Sequence, residues 1–190
     1  MVLSRQVSGE RFFRIGVLSK EKGAFQVLAK RSPKQNQAPD LFQEVNLYWK
    51  LGQVKTIGFM QEYQVLNSWN SVGQRYQHFC DACELNQFIG RNGSGVTASS
   101  DWYSLLKKAW DSWELPDANS KAVLFKSLYY IAKIEGYPVK ESWAYHLSAS
   151  LLCELKMILQ SPVGKTPLQV SVPVLLENLN RWLKNKTDFL

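Results

Sequence analysis

The chain has 190 residues, of which 45% are apolar and 13% aromatic, and a formal net charge of +7. That length fits one ordinary domain or two small ones, with apolar material to spare for a core. Three cysteines are too few, and odd in number, for a disulfide framework, so a reducing cytoplasm is expected. No run of about 18 apolar residues occurs, which excludes a membrane-spanning helix. Arg5, Glu10, Arg11, Arg14 and Lys20 interrupt the first twenty residues too often for a signal peptide.

The front of the chain reads as short strands. Residues 13–18 (FRIGVL) and 24–29 (AFQVLA) flank a polar turn ending in Gly23, the pattern of a hairpin. Residues 31–40 (RSPKQNQAPD) read as a loop punctuated by Pro33 and Pro39. Beyond it Val45, Leu47 and Trp49 alternate onto one face, and residues 56–60 and 63–66 continue the strand character, with Gly58 a candidate bulge. Four or five strands in under 80 residues is the size of a small Greek-key barrel such as the OB-fold, although an SH3-like barrel has a similar strand count.

From about Ser71 the period becomes helical. Val72, Tyr76, Phe79, Cys80 and Cys83 fall at 3–4 spacing before a stop at Gly90–Gly93. Ser100 reads as the N-cap of a helix carrying Trp102, Leu105, Leu106, Ala109, Trp110 and Trp113, which Pro116 ends. Further helices are predicted from about Asn119 to Gly136, over 143–160, and from Pro173 onward. The fold class is α+β in the order β then α: an N-terminal OB-fold barrel over 1–69, followed by a C-terminal all-helical domain over 70–190.

The charge is concentrated in the strand-like part. Residues 1–34 hold Arg5, Arg11, Arg14, Lys20, Lys22, Lys30, Arg31 and Lys34 against Glu10 and Glu21, while the remainder is nearly balanced. A basic block over strands is an electrostatic footprint for nucleic acid, and these eight residues are the expected DNA-binding set. A single strand is held by cations along its backbone together with rings on which bases stack. Phe12, Phe13 and Phe25 are interleaved with the charges and are candidate rings, although filling the barrel core is the more common role of a phenylalanine. The corner from Lys30 to Lys34 is the part expected to matter most, because loop cations reach phosphates without desolvating a sheet.

Little else carries chemistry. Cys80 and Cys83 form a single Cys-x-x-Cys inside a helical pattern; with only Cys153, His78 and His146 to complete a site, buried thiols are expected rather than zinc. Gly164-Lys165-Thr166 ends like a phosphate-binding loop, but Leu159 stands where that motif needs its first glycine. No nucleophile–base pair or carboxylate cluster is evident, so no enzyme, cofactor or metal is expected. The helical part is rich in Trp and Tyr. An apolar pocket there, rimmed by Lys107, Lys108, Lys121 or Lys126, would suit an acidic peptide tipped with an aromatic residue.

In order and spacing these pieces resemble the bacterial DNA-repair mediator RecO family along nearly the whole chain. Residues 2–5 (VLSR) with Ser8-Gly9-Glu10 resemble its opening strand and turn; residues 18–23 (LSKEKG) followed by 27–31 (VLAKR) resemble its second hairpin and basic corner. Gly136-Tyr137-Pro138 resembles the turn after its central helices, and residues 183–190 (LKNKTDFL) its closing segment. Where some members carry two Cys-x-x-Cys pairs after that turn, this chain has Val139-Lys140-Glu141-Ser142-Trp143, so the zinc knuckle is absent from the sequence and the segment is shortened. Arg31 and Ser32 replace the family's usual glycine at the corner. The resemblance implies binding to single- and double-stranded DNA, strand annealing, and help in loading recombinase onto DNA coated by single-strand DNA-binding protein (SSB). It implies RecR and the acidic C-terminal tail of SSB as partners, no membrane, and a nucleoid-associated place in the bacterial cytoplasm. The alternatives are an OB-fold RNA-binding or ribosome-associated factor, and an adaptor that binds only proteins.

Overall fold

The computed structural model describes residues 1–31, 38–52, 58–162 and 171–189. Ser32, Pro33 and Lys34 of the basic corner, and Gly164-Lys165-Thr166, lie outside the described residues. Five strands come first and helices follow, so the α+β class in the order β then α holds. The strands are β1 (Val2–Ser8), β2 (Phe12–Ser19), β3 (Gly23–Lys30), β4 (Gln43–Leu51) and β5 (Gly58–Ser68). They form one sheet in the order β1-β2-β3-β5-β4, and only the β3–β5 pair is parallel. The outer strands of that order, β1 and β4, also approach each other.

The predicted first hairpin forms, with Phe13 opposite Ala29, Ile15 opposite Val27 and Val17 opposite Phe25. It closes on Gly23 at φ 69°, a left-handed conformation that side chains other than glycine rarely adopt. These odd-numbered residues face inward. Val2, Ile15, Val17, Val27, Ala29 and Ala38 make the core, with Phe13, Phe25, Val45, Leu47, Trp49 and Met60 packed against it. Each fully buried aliphatic chain of this kind contributes about 1.5–3 kcal/mol. Gly58 is not the bulge: it pairs regularly with Leu51, and the register shifts fall between Glu44 and Val45 and between Tyr48 and Trp49. Its lack of a side chain serves packing, since a Cβ there would run into the Trp49 indole.

The helices are α1 (Asn70–Gln74), α2 (Tyr76–Asn92), α3 (Ser99–Glu114), α4 (Ser120–Ile134), α5 (Ala149–Gln160) and α6 (Val172–Lys186). α3 begins two residues earlier than expected. The Ala98 carbonyl accepts from Asp101 and Trp102, and the Ser99 hydroxyl donates to the Lys20 carbonyl at 2.6 Å. Asn119 caps α4 by accepting from the Ala122 N–H at 3.1 Å. The other end of α4 is a Schellman closure: Gly136, at φ 81°, donates to Lys133 and Tyr137 donates to Ala132. The helix predicted over 143–160 is interrupted. A π-helical turn over Val139–Trp143 and a 3-10 turn over Ala144–His146 come first, and α5 starts beyond Ser148, whose hydroxyl accepts from the Leu151 N–H. Pro173 sits in the first turn of α6 as expected.

The chain divides into two compact units, one made of residues 1–70 and 86–103, the other of residues 71–85 and 104–190. In the second unit the stripe Tyr76, Phe79, Cys80 and Cys83 is not the buried side of α2. Tyr76 is exposed and both cysteines are half-buried, so the expectation of buried thiols is corrected. The buried positions are His78, Asp81, Ala82 and Leu85. Polar groups reach the interior there because each has a partner. His78 donates through Nδ1 to the Trp113 carbonyl at 2.7 Å, and Asp81 meets Lys121 Nζ at 2.6 Å and Gln77 Nε2 at 3.0 Å.

Candidate nucleic-acid interface

The inward set of the sheet leaves a complementary outward set, and strand register aligns it. Gln6 of β1 pairs with Arg14 of β2, Arg14 with Leu28 of β3, Leu28 with Phe59 of β5, and Phe59 with Lys50 of β4. One row therefore crosses all five strands. In the next row Ser8 pairs with Phe12 and Phe12 with Lys30. Phe12 and Phe59 meet edge to face above β3, with ring centroids 5.9 Å apart. Arg14, Lys30 and Lys50 are exposed around this ring pair, and 36% of Phe59 remains exposed. Tyr48, also exposed, follows Lys50 on the same face, and exposed Glu62 stands opposite it as the acidic limit of the patch.

The eight expected DNA-binding residues separate into groups. Arg11, Arg14, Lys30 and Arg31 are exposed at the end of the β2–β3 hairpin next to the β1–β2 turn, where the Arg31 N–H donates to the Arg11 carbonyl at 2.8 Å. Lys20 and Lys22 occupy the opposite turn, roughly 25 Å away along the strands. Their ammonium groups lie over rings: Lys20 is 4.9 Å from the Tyr103 centroid and Lys22 is 4.7 Å from that of Trp49. Arg5 is drawn inward. It pairs with Asp40 at 3.6 Å and lies 4.4 Å from the Phe13 centroid, which Arg31 also approaches at 5.2 Å. Lys34 lies outside the described residues.

Of the three candidate rings, Phe13 and Phe25 pack on the core and only Phe12 belongs to the outward face. Lys50, Phe59 and Tyr48 were not singled out from the sequence. Their signal was the alternation of β4, because an inward Val45, Leu47 and Trp49 obliges Asn46, Tyr48 and Lys50 to face outward.

Within the first unit, Tyr103 braces the start of β4 by donating its hydroxyl to Glu44 at 2.6 Å. Burial, and then the hydrogen bond and charge of Glu44, push the Tyr103 pKa well above its ordinary value. The phenol therefore stays protonated as a donor at neutral pH.

The helical unit carries an apolar groove of 530 Å³ between the turns after α4 and helix α5, lined by Tyr129, Tyr145, Leu152, Leu155 and Leu159. Lys140 and Lys156 belong to its lining, and Tyr145 is 77% exposed. The expected lysine rim differs. Lys121 is paired with Asp81, and Lys126 donates to the Ser161 carbonyl while burial lowers its pKa. Among the described residues no group of three or more His, Cys, Asp and Glu is placed to hold a metal, and no helix is long and apolar enough to cross a membrane. No protein-family model matches the chain, and no curated protein sequence matches it.

Proposed function

We propose that the outward face of the sheet binds single-stranded DNA, and that the protein is a RecO-like recombination mediator which binds single and double strands and anneals them without making or breaking a bond. The observation that carries this reading is the pair of neighbouring cross-sheet rows. It sets three exposed cations around an aromatic pair, one ring of which is open enough to receive a base, and these are the two components of sequence-tolerant strand binding. The strand order β1-β2-β3-β5-β4, its parallel β3–β5 pair and the approach of β1 to β4 support an OB-type barrel. The groove with Lys140 and Lys156 in its lining supports the acidic C-terminal tail of SSB as occupant, with apolar side chains entering between Tyr129 and Leu155 and carboxylates meeting the lysines.

An annealing assay with two complementary labelled strands tests the mediator reading. The protein is expected to accelerate annealing of naked strands, and of SSB-coated strands only when SSB keeps its tail. The double variant Lys140→Glu/Lys156→Glu should lose about tenfold or more of the rate on coated strands while keeping the rate on naked ones, since like charge at an interface costs several kcal/mol. Failure to accelerate naked strands would leave only strand binding and remove the mediator role.

A further inference from the structure

Beside the cationic rows the same sheet carries a groove of 640 Å³. Its floor is Ser4, Gly16 and Gln26, which pair across β1, β2 and β3. That row follows the one through Gln6 and Arg14 on the same outward face, a step of roughly 7 Å along the strands. Gln6 belongs to the groove's lining as well, so the groove opens beside Arg14. Its opposite wall is the last turns of α2, with Gln87, Gly90 and Arg91.

Floor and wall each carry a glycine, and the two differ in why. A Cβ at Gly16 would press on the Ser4 hydroxyl, so packing within the sheet accounts for it. Gly90 has no such reason. Among the described residues a Cβ there would meet only Leu3 Cδ1, at an ordinary 3.9 Å, and its backbone is not left-handed. Glycine inside a helix costs stability relative to alanine, and an exposed position that forgoes its side chain leaves room for a ligand to pass close to the backbone. The rest of the lining is polar without being acidic. Among the described residues it contains no carboxylate, three exposed carboxamides in Gln6, Gln26 and Gln87, and Arg91 as its one charged side chain. Amide donors and a guanidinium are the groups that contact phosphate and sugar.

We infer that this groove continues the strand track: a bound DNA single strand runs from the Phe12–Phe59 pair past Arg14 into the groove, its sugar–phosphate backbone passes over Gly90, and Arg91 meets a phosphate at the far wall. The inference rests on the strand-binding reading. It divides the interface into two parts with different length requirements. Lys50 on β4 and Arg14 on β2 are three strand spacings apart, roughly 14 Å, so a short strand satisfies the cationic rows alone. Only a longer one also reaches the groove, within the span of about 4–16 nucleotides that one OB-type barrel takes.

The test is fluorescence anisotropy with labelled all-thymine strands, a 5-mer and a 15-mer, on the full chain. Gly90→Leu changes no charge and installs a better helix former, so the melting temperature should hold or rise. It is expected to weaken the 15-mer about tenfold, the cost of one lost hydrogen bond to a charged group, and to leave the 5-mer unchanged. Arg91→Gln should flatten the 15-mer's dependence of log K on log salt by about 0.7, the share of one phosphate, and leave the 5-mer's slope as it was. Lys22→Gln removes the same charge from a side chain outside the lining and should alter neither slope. Should Gly90→Leu lower the melting temperature, the slopes of Arg91→Gln decide. No loss for either strand in Gly90→Leu, equal losses for both, or equal slope changes in Arg91→Gln and Lys22→Gln would overturn the groove's role while leaving strand binding intact. Absence of binding to both strands by the unmodified protein would overturn this inference together with the reading it rests on.

Discussion

Replacing Arg14, Lys30 and Lys50 together with alanine is expected to weaken binding of a DNA single strand about 100-fold at low salt. It should also flatten the dependence of log K on log salt by about 2, because each phosphate neutralised on a single strand contributes a slope of about −0.7. All three side chains are exposed on one face, in two neighbouring rows of the sheet, so their loss removes phosphate contacts without opening the core. Stability should change by no more than about 0.5 kcal/mol for each. Phe59→Ala separates the second component: losing one stacked base costs about 1–3 kcal/mol of binding and leaves the salt slope unchanged. Lys20→Ala/Lys22→Ala is the internal control. Those cations lie at the far turn, over the Tyr103 and Trp49 rings, and their removal should cost much less affinity. A larger loss in this control than in the triple variant would move the interface to the other end of the hairpin.

The largest stability effect is expected at Lys121. Asp81 is 1% exposed and its charge is met by Lys121 Nζ at 2.6 Å, whereas 36% of the lysine side chain reaches solvent. The two halves of this pair are therefore unequal. Lys121→Met leaves a buried carboxylate with the neutral Gln77 amide beside it, and should cost about 3 kcal/mol, the lower end of the range for breaking a buried pair. Asp81→Asn frees a lysine that turns to water, and should cost only about 1 kcal/mol. For a chain of this size, the first change corresponds to a fall in Tm of roughly 6–12 °C. The double variant Asp81→Leu/Lys121→Met should recover most of the loss, because apolar replacement of both partners removes the desolvation penalty along with the attraction. Thermal unfolding of the three variants decides the matter. Equal losses from both single variants would mean that the pair behaves as a surface ion pair.

Local pattern made much of the fold readable. The β2–β3 hairpin follows from period-two alternation on either side of a turn closed by Gly23, and the ends of α4 follow from Asn119 and Gly136. Long-range register was not readable. Phe59 joins Phe12 only because β5 lies parallel to β3, and nothing local to residues 56–60 announces that pairing. The inward face of β4 was legible from Val45, Leu47 and Trp49, and Lys50 was implied by it. α2 misleads for a different reason. Its most apolar stripe, with Tyr76 and Phe79, lies outward because His78 and Asp81 find partners in Trp113 and Lys121, more than thirty residues away in the chain. Charge density drew attention to the front of the chain, but charge alone could not reveal that Arg5 is taken by Asp40 and Phe13.

The central claim, that the sheet's outward face neutralises the backbone of a single strand, is tested most directly by anisotropy of a labelled DNA single strand across a salt series. With about four phosphates met by the cations around Phe12 and Phe59, log K should fall against log salt with a slope near −3, and an RNA strand of the same sequence should bind no better. No binding at low salt would contradict the account and leave the basic face as solvated surface, while clearly tighter binding of RNA would assign that face to a different polymer.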